Sequence, residues 1–151
     1  MKVIFILALF LLTGCQSTKI VAPKLPDTVK ESDISKVVLF MESNLKIGES
    51  RVYFGEKKKN YASFNKKGKK ELMLLSGEYK FEIWSPGSAT HNLEAVLEGN
   101  KTTCIRIFSN TTNLVGKFVV PLLRNLTSTH EAEVVDCYQI NKLAEDSAEN
   151  S

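Results

Sequence analysis

Glu78-Tyr79-Lys80-Phe81-Glu82-Ile83-Trp84 alternates along its whole length. Tyr79, Phe81 and Ile83 point to one side, and Glu78, Lys80, Glu82 and Trp84 to the other. That period of two belongs to a β-strand with one buried face. The strand is bounded by Ser76-Gly77 before it and Ser85-Pro86-Gly87-Ser88 after it. In the second of these, proline sets φ and glycine permits φ > 0, which is the chemistry of a tight turn. Working outward, short β-rich runs recur at 36–41, 51–55, 60–64, 70–75, 78–84, 91–97, 102–108, 116–123 and 132–140. A short helix near 138–146 is only weakly signalled. Many short strands at regular spacing predict an all-β protein, a small antiparallel β-sandwich or a barrel-like domain.

The chain of 151 residues has room for one domain once targeting and tail segments are set aside. Its 43% apolar and 25% charged content is that of an ordinary globular protein. The formal charge of +3 is too small to suggest nucleic acid, and no groove-reading motif is present.

The N-terminus is more specific. Met1-Lys2 precedes an unbroken apolar run from Val3 to Leu12. As a helix this run would rise only about 15 Å, half of the ~30 Å hydrocarbon core, so it has the length of a signal-peptide core rather than of a span. Leu12-Thr13-Gly14-Cys15 then resembles, residue for residue, the lipobox of bacterial lipoproteins. The resemblance implies cleavage before Cys15 and diacylglycerol on its thiol. Gln16, in place of an aspartate, points by analogy to the outer membrane of a diderm bacterium. Removing Lys2 with the signal peptide lowers the formal charge by one, to +2. From Gln16 to about Ser35 the chain carries Pro23, Pro26 and no apolar period, which reads as a tether able to reach at most ~65–70 Å. The expected organisation is a signal peptide over 1–14, a lipidated cysteine and tether over 15–35, a β-sandwich domain over 36–142 and an acidic disordered tail over 143–151.

Cys104 and Cys137 are the cysteines left after lipidation of Cys15. Two thiols in a small domain outside the cytoplasm usually pair. Closing the loop between them would contribute roughly 3–4 kcal/mol in the chain-entropy model. The bridge would join the strand near 104 to the final strand.

Chemistry is harder to find. His91 and His130 are the histidines, and neither has the close ligand spacing of a zinc site. Ser88 precedes His91 by three residues but lacks the Gly-x-Ser-x-Gly elbow of a hydrolase. Glu94 and Glu98 offer the carboxylate pair that glycoside hydrolysis needs, as most β-proteins do. No phosphate loop or other cofactor motif is present. The expectation is a protein that is not an enzyme, with no cofactor and no metal.

One stretch suggests binding. Lys57, Lys58, Lys59, Lys66, Lys67, Lys69 and Lys70 flank Tyr61 and Phe64. As one basic, partly aromatic surface they would attract anionic lipid or an acidic envelope polymer, each lysine contributing about 1 kcal/mol near a charged membrane. The competing account is a solvated hairpin whose lysines stop sheets from pairing edge to edge.

The block from about 36 to 140 also resembles the DUF2846-like and PEGA-like β-domains of bacterial lipoproteins. The matching stretches are Val37-Val38-Leu39-Phe40, Arg51-Val52-Tyr53-Phe54-Gly55, Leu74 through Phe81, and Leu93 through Ile107 with the turn Glu98-Gly99-Asn100-Lys101-Thr102. The chain departs from that pattern at Thr103-Cys104, where aromatics are common. The resemblance implies a β-fold and a lipoprotein setting, and brings no catalytic residues. The resulting expectation is a lipid-anchored accessory or binding module of the cell envelope, attached to the membrane through its lipid and to an envelope protein, polymer or lipid through its domain. The alternative is an inhibitor of a foreign envelope-degrading enzyme such as lysozyme, which an exposed acidic or hydroxyl-bearing loop would favour.

Overall fold

The computed structural model describes residues 18–45, 51–57, 59–110 and 128–149. Cys15, Lys58 and the expected strand over 116–123 lie outside these residues. The strands are β1 (Ile34–Met41), β2 (Val52–Glu56), β3 (Lys59–Phe64), β4 (Gly68–Leu75), β5 (Gly77–Trp84), β6 (His91–Leu97), β7 (Thr102–Ser109) and β8 (His130–Val135), followed by helix α1 (Cys137–Glu149). One sheet has the order β4-β1-β7-β8 and the other β3-β2-β5-β6. The two pack as a sandwich around a shared core, as the alternating runs predict.

Phe81 and Ile83 of β5 are fully buried in that core with Tyr79 packed against it, so the face read from the alternation is the inner one. They meet Phe54 of β2, Leu39 of β1 and Ile105 and Ile107 of β7. Phe54 and Phe81 have ring centroids 4.7 Å apart. Burying side chains of this size contributes about 1.5–3 kcal/mol each.

Strand β1 departs from plain alternation because both of its faces are covered. Val37 through Met41 are all buried. Val37, Leu39 and Met41 enter the sandwich, while Val38 and Phe40 lie on the opposite face under Ile140, Leu143 and Ala144 of α1. A strand covered on both sides reads as a continuous apolar run, as Val37-Val38-Leu39-Phe40-Met41 does. β1 also breaks the antiparallel expectation. It pairs antiparallel with β4 but parallel with β7, in the register Val38↔Cys104.

Two boundaries differ from the expected ones. The strand expected over 132–140 ends at Val135, and the chain is helical from Cys137 to Glu149, through most of the expected acidic tail. Asp136 starts the helix by accepting the Tyr138 N–H on its Oδ1 at 2.9 Å, as an N-cap carboxylate does. Ile140, Leu143 and Ala144 then recur at helical spacing and have apolar strand residues to cover. The expected tether is also partly structured. Ile20 bridges Asn60, Glu31–Asp33 form a 3-10 turn, and β1 begins at Ile34 rather than Lys36.

A β-bulge shapes the β2–β3 hairpin. Phe54 pairs with Ala62, but Gly55 pairs with Asn60, leaving Tyr61 as the extra residue. The bulge turns Asn60 to the outer face, where its Oδ1 accepts the Trp84 indole N–H at 3.0 Å. Trp84 stacks there on Tyr53 with centroids 4.6 Å apart. Gly55 is required, because a Cβ at this position would stand 1.7 Å from the Lys59 carbonyl oxygen. Gly55→Ala is therefore expected to cost about 2–3 kcal/mol, the upper part of the usual overpacking range, with the backbone of the hairpin displaced. Denaturant unfolding measures it; an unchanged midpoint would contradict the bulge geometry.

Candidate functional site

The described lysines of the 57–70 stretch fall into two groups. Lys57 occupies the β2–β3 turn and Lys59 opens β3, whereas Lys66 and Lys67 lie in the β3–β4 turn and Lys69 and Lys70 follow in β4. The run from Lys59 to Phe64 spans ~17 Å at ~3.3 Å per residue, about twice the physiological Debye length of ~8 Å. Two basic groups thus sit at opposite ends of one hairpin. Both strands are sheet edges, β3 of one sheet and β4 of the other, where lysine discourages pairing with another chain. Several are already engaged. Lys57 Nζ is 3.6 Å from Glu56, Lys69 Nζ is 3.5 Å from Glu71, and Lys70 Nζ lies 5.6 Å from the centre of the Phe64 ring. Lys36 holds Glu71 from the other side at 2.8 Å, and its hydrogen bond keeps that carboxyl below the usual range.

At the Lys59 end a groove of about 380 Å³ opens between residues 21–25 and the edges of the two sheets. Glu56, Lys59, Tyr61 and Tyr79 line one wall, and Leu74 and Leu75 another. The Val21 N–H donates to the Asn60 carbonyl at 2.7 Å, holding the N-terminal segment on the edge of β3. Tyr61 Oη donates to Glu56 Oε2 at 3.3 Å, and Tyr79 Oη to the Leu75 carbonyl at 3.0 Å.

Burial, followed by the Glu56 charge and the hydrogen bond to it, pushes the Tyr61 phenol up to about 12. Burial and the same carboxylate also raise Tyr79. The neutral phenol is the favoured form, so the stability linked to Tyr61 is complete below the ordinary tyrosine value of ~10. It falls as pH rises from there through about 12. Tyr61→Phe is expected to flatten this alkaline loss, and Glu56→Gln to lower the phenol's midpoint in an ultraviolet titration. A Tyr61 midpoint unmoved by Glu56→Gln would remove the carboxylate from the account.

The histidines and the Ser88 loop take part in hydrogen bonds that link the two sheets and close the β5–β6 turn. The Ser88 N–H closes the turn on the Ser85 carbonyl at 3.0 Å, with Gly87 at φ 77°, and Ser88 Oγ donates to the same carbonyl at 2.9 Å. Ser85 Oγ contacts Thr129 Oγ1 at 3.0 Å, and Thr129 Oγ1 contacts His130 Nδ1 at 3.1 Å. This buried chain ties the β5–β6 turn of one sheet to the start of β8 in the other. No sequence signal marks it, because its partners stand 44 residues apart. His91 Nε2 lies 3.2 Å from the Ala132 carbonyl oxygen. Glu94 pairs with Lys80 and Glu98 with Lys101, so each of these acids faces a lysine. Among the described residues no group of three His, Cys, Asp or Glu side chains is placed to hold a metal ion.

Cys104 and Cys137 stand at disulfide distance, their Cα atoms 5.2 Å apart. Cys137 opens α1 rather than closing a strand, so the pair joins the helix to β7. The fold and these features define a small β-sandwich domain with a covering helix and a cysteine pair at the helix start. No family model, curated protein or solved structure matches the chain.

Proposed function

We propose that the chain is a lipid-anchored, non-catalytic protein of the cell envelope whose β-sandwich acts as an accessory or binding module. One observation carries the reading: Leu12-Thr13-Gly14-Cys15 ends an apolar run too short to span a bilayer. The cysteine pair at disulfide distance supports it, because such bonds persist in oxidising compartments. The surviving cysteines Cys104 and Cys137 are then bonded in the cell, and Cys15 is the thiol that carries lipid. The outer membrane is the destination that Gln16 favours, and an envelope protein or an anionic polymer or lipid is the partner.

Metabolic labelling with a fatty-acid analogue tests the reading. The wild-type chain is expected to take up the label and Cys15→Ser to lose it. Labelling that persists in Cys15→Ser would place the lipid elsewhere and overturn the assignment.

A further inference from the structure

We propose that the end of the sandwich formed by the β2–β3 turn and the start of β3 is the face this protein lays on a bilayer, with anionic lipid headgroups as its ligand. The proposal rests on lipidation of Cys15 and adds to it the orientation of the domain.

A free tether running to β1 would let the domain take any orientation within tens of ångströms of the membrane. The structure shortens that tether. Ile20 bridges Asn60, the Val21 N–H donates to the Asn60 carbonyl at 2.7 Å, and Asn60 Nδ2 donates to the Lys19 carbonyl at 3.5 Å. From Cys15 to Ile20 the chain can reach at most about 18 Å. The bridge is parallel, so the chain before Ile20 heads the same way as the chain before Asn60. That direction leads past Lys59 to the turn holding Lys57. Thr18 and Lys19 therefore direct the N-terminal chain towards this end.

The surface there suits a headgroup layer. Lys19, Lys24, Lys57 and Lys59 are exposed around it. Ile20 and Val21, in the docked segment itself, are 39% and 45% exposed. Glu56 lines the groove, where its carboxylate faces Tyr61 and Lys57. Glu78 and Glu94 flank Lys57 on the adjoining surface, Glu94 facing Lys80, so Lys19, Lys24 and Lys59 carry most of the attraction. Basic side chains around exposed apolar ones are the composition that binds an anionic interface. Their charges act within a Debye length of ~8 Å, so they matter because the short strap keeps them near the surface. Lys66 and Lys67, at the other end of β3, stand ~17 Å further off and contribute little.

The test uses the full lipidated protein in vesicles of phosphatidylethanolamine and phosphatidylglycerol containing a nitroxide-headgroup lipid. A fluorophore is attached through Ser76→Cys, beside the groove, or Asn65→Cys, in the distant β3–β4 turn. Quenching at 76 is expected to exceed that at 65 several-fold, because nitroxide quenching is short-ranged and the two ends of β3 stand ~17 Å apart. Exchanging phosphatidylglycerol for phosphatidylcholine should lower the ratio. Val21→Pro, which removes the N–H holding the strap, should bring it towards one. Equal quenching at the two sites overturns the proposal, as does a ratio indifferent to headgroup charge or to Val21→Pro. The mass of the same preparation separates the premise: a chain with no lipid on Cys15 overturns the lipoprotein reading instead.

Discussion

Cys15→Ser is expected to move the domain out of the membrane fraction, or to leave an uncleaved precursor held by its signal peptide. The size of the effect follows from the number of acyl chains. Each buried CH₂ contributes ~0.8 kcal/mol, yet one chain gives only marginal, reversible attachment. The lipobox resemblance implies at least two chains, and three in a diderm bacterium, which makes attachment practically permanent. All of it depends on one sulfur, since diacylglycerol is transferred to a thiol and a serine hydroxyl is a far weaker nucleophile. Among the described residues no helix is long and apolar enough to cross a membrane in its place. Fractionation with an alkaline wash checks the result. A processed Cys15→Ser chain that stays in the washed membranes would contradict it.

Replacing Cys137 or Cys104 by serine is expected to cost 2–5 kcal/mol, a large part of the ~5–15 kcal/mol that holds a domain of this size together. The cysteines are separated by 33 positions, and closing such a loop accounts for about 3–4 kcal/mol in the chain-entropy model. The location adds a packing consequence. Cys104 lies in β7, and Cys137 begins the helix that covers Val38 and Phe40 of β1. Without the bond α1 is held by its Asp136 cap and by Ile140, Leu143 and Ala144. Helices of this length are marginal in water without tertiary packing. Circular dichroism should then show lost helix signal before the sheets melt. Alkylation of the unreduced protein should find neither thiol free. Full alkylation of both, or a midpoint indifferent to reductant, would contradict the bridge.

Much of the sandwich was legible because its strands are short and one-sided. The Tyr79, Phe81 and Ile83 face and the Ser85–Ser88 turn follow from period two and from the φ preferences of proline and glycine. Trp84 shows where the pattern stops. Alternation places it on the outer face, and there it lies, but its burial depends on Tyr53 and on an Asn60 re-aimed by a bulge that pairing registers alone reveal. The parallel β1–β7 pair is equally silent, since parallel and antiparallel partners ask for the same apolar run. Helix α1 overlaps the expected strand because Val134, Val135 and Cys137 are β-rich and the cap at Asp136 is a single residue. The lysine stretch looked continuous in the chain. Folding divides it, because a hairpin sends Lys57 and Lys59 to one end and Lys66 and Lys67 to the other. The docked segment was hidden most thoroughly: it is held by a bridge at Ile20 and a few hydrogen bonds to Asn60, which no composition records.

The most direct measurement is the mass of the N-terminal tryptic peptide of the protein taken from membranes. Cleavage after Lys19 should release Cys15-Gln16-Ser17-Thr18-Lys19, beginning at the cysteine and heavier than its sequence by a diacylglyceryl group, with or without a further amide-linked chain. An unmodified Cys15 inside a longer N-terminal peptide, or a mature chain beginning at another residue, would contradict the account.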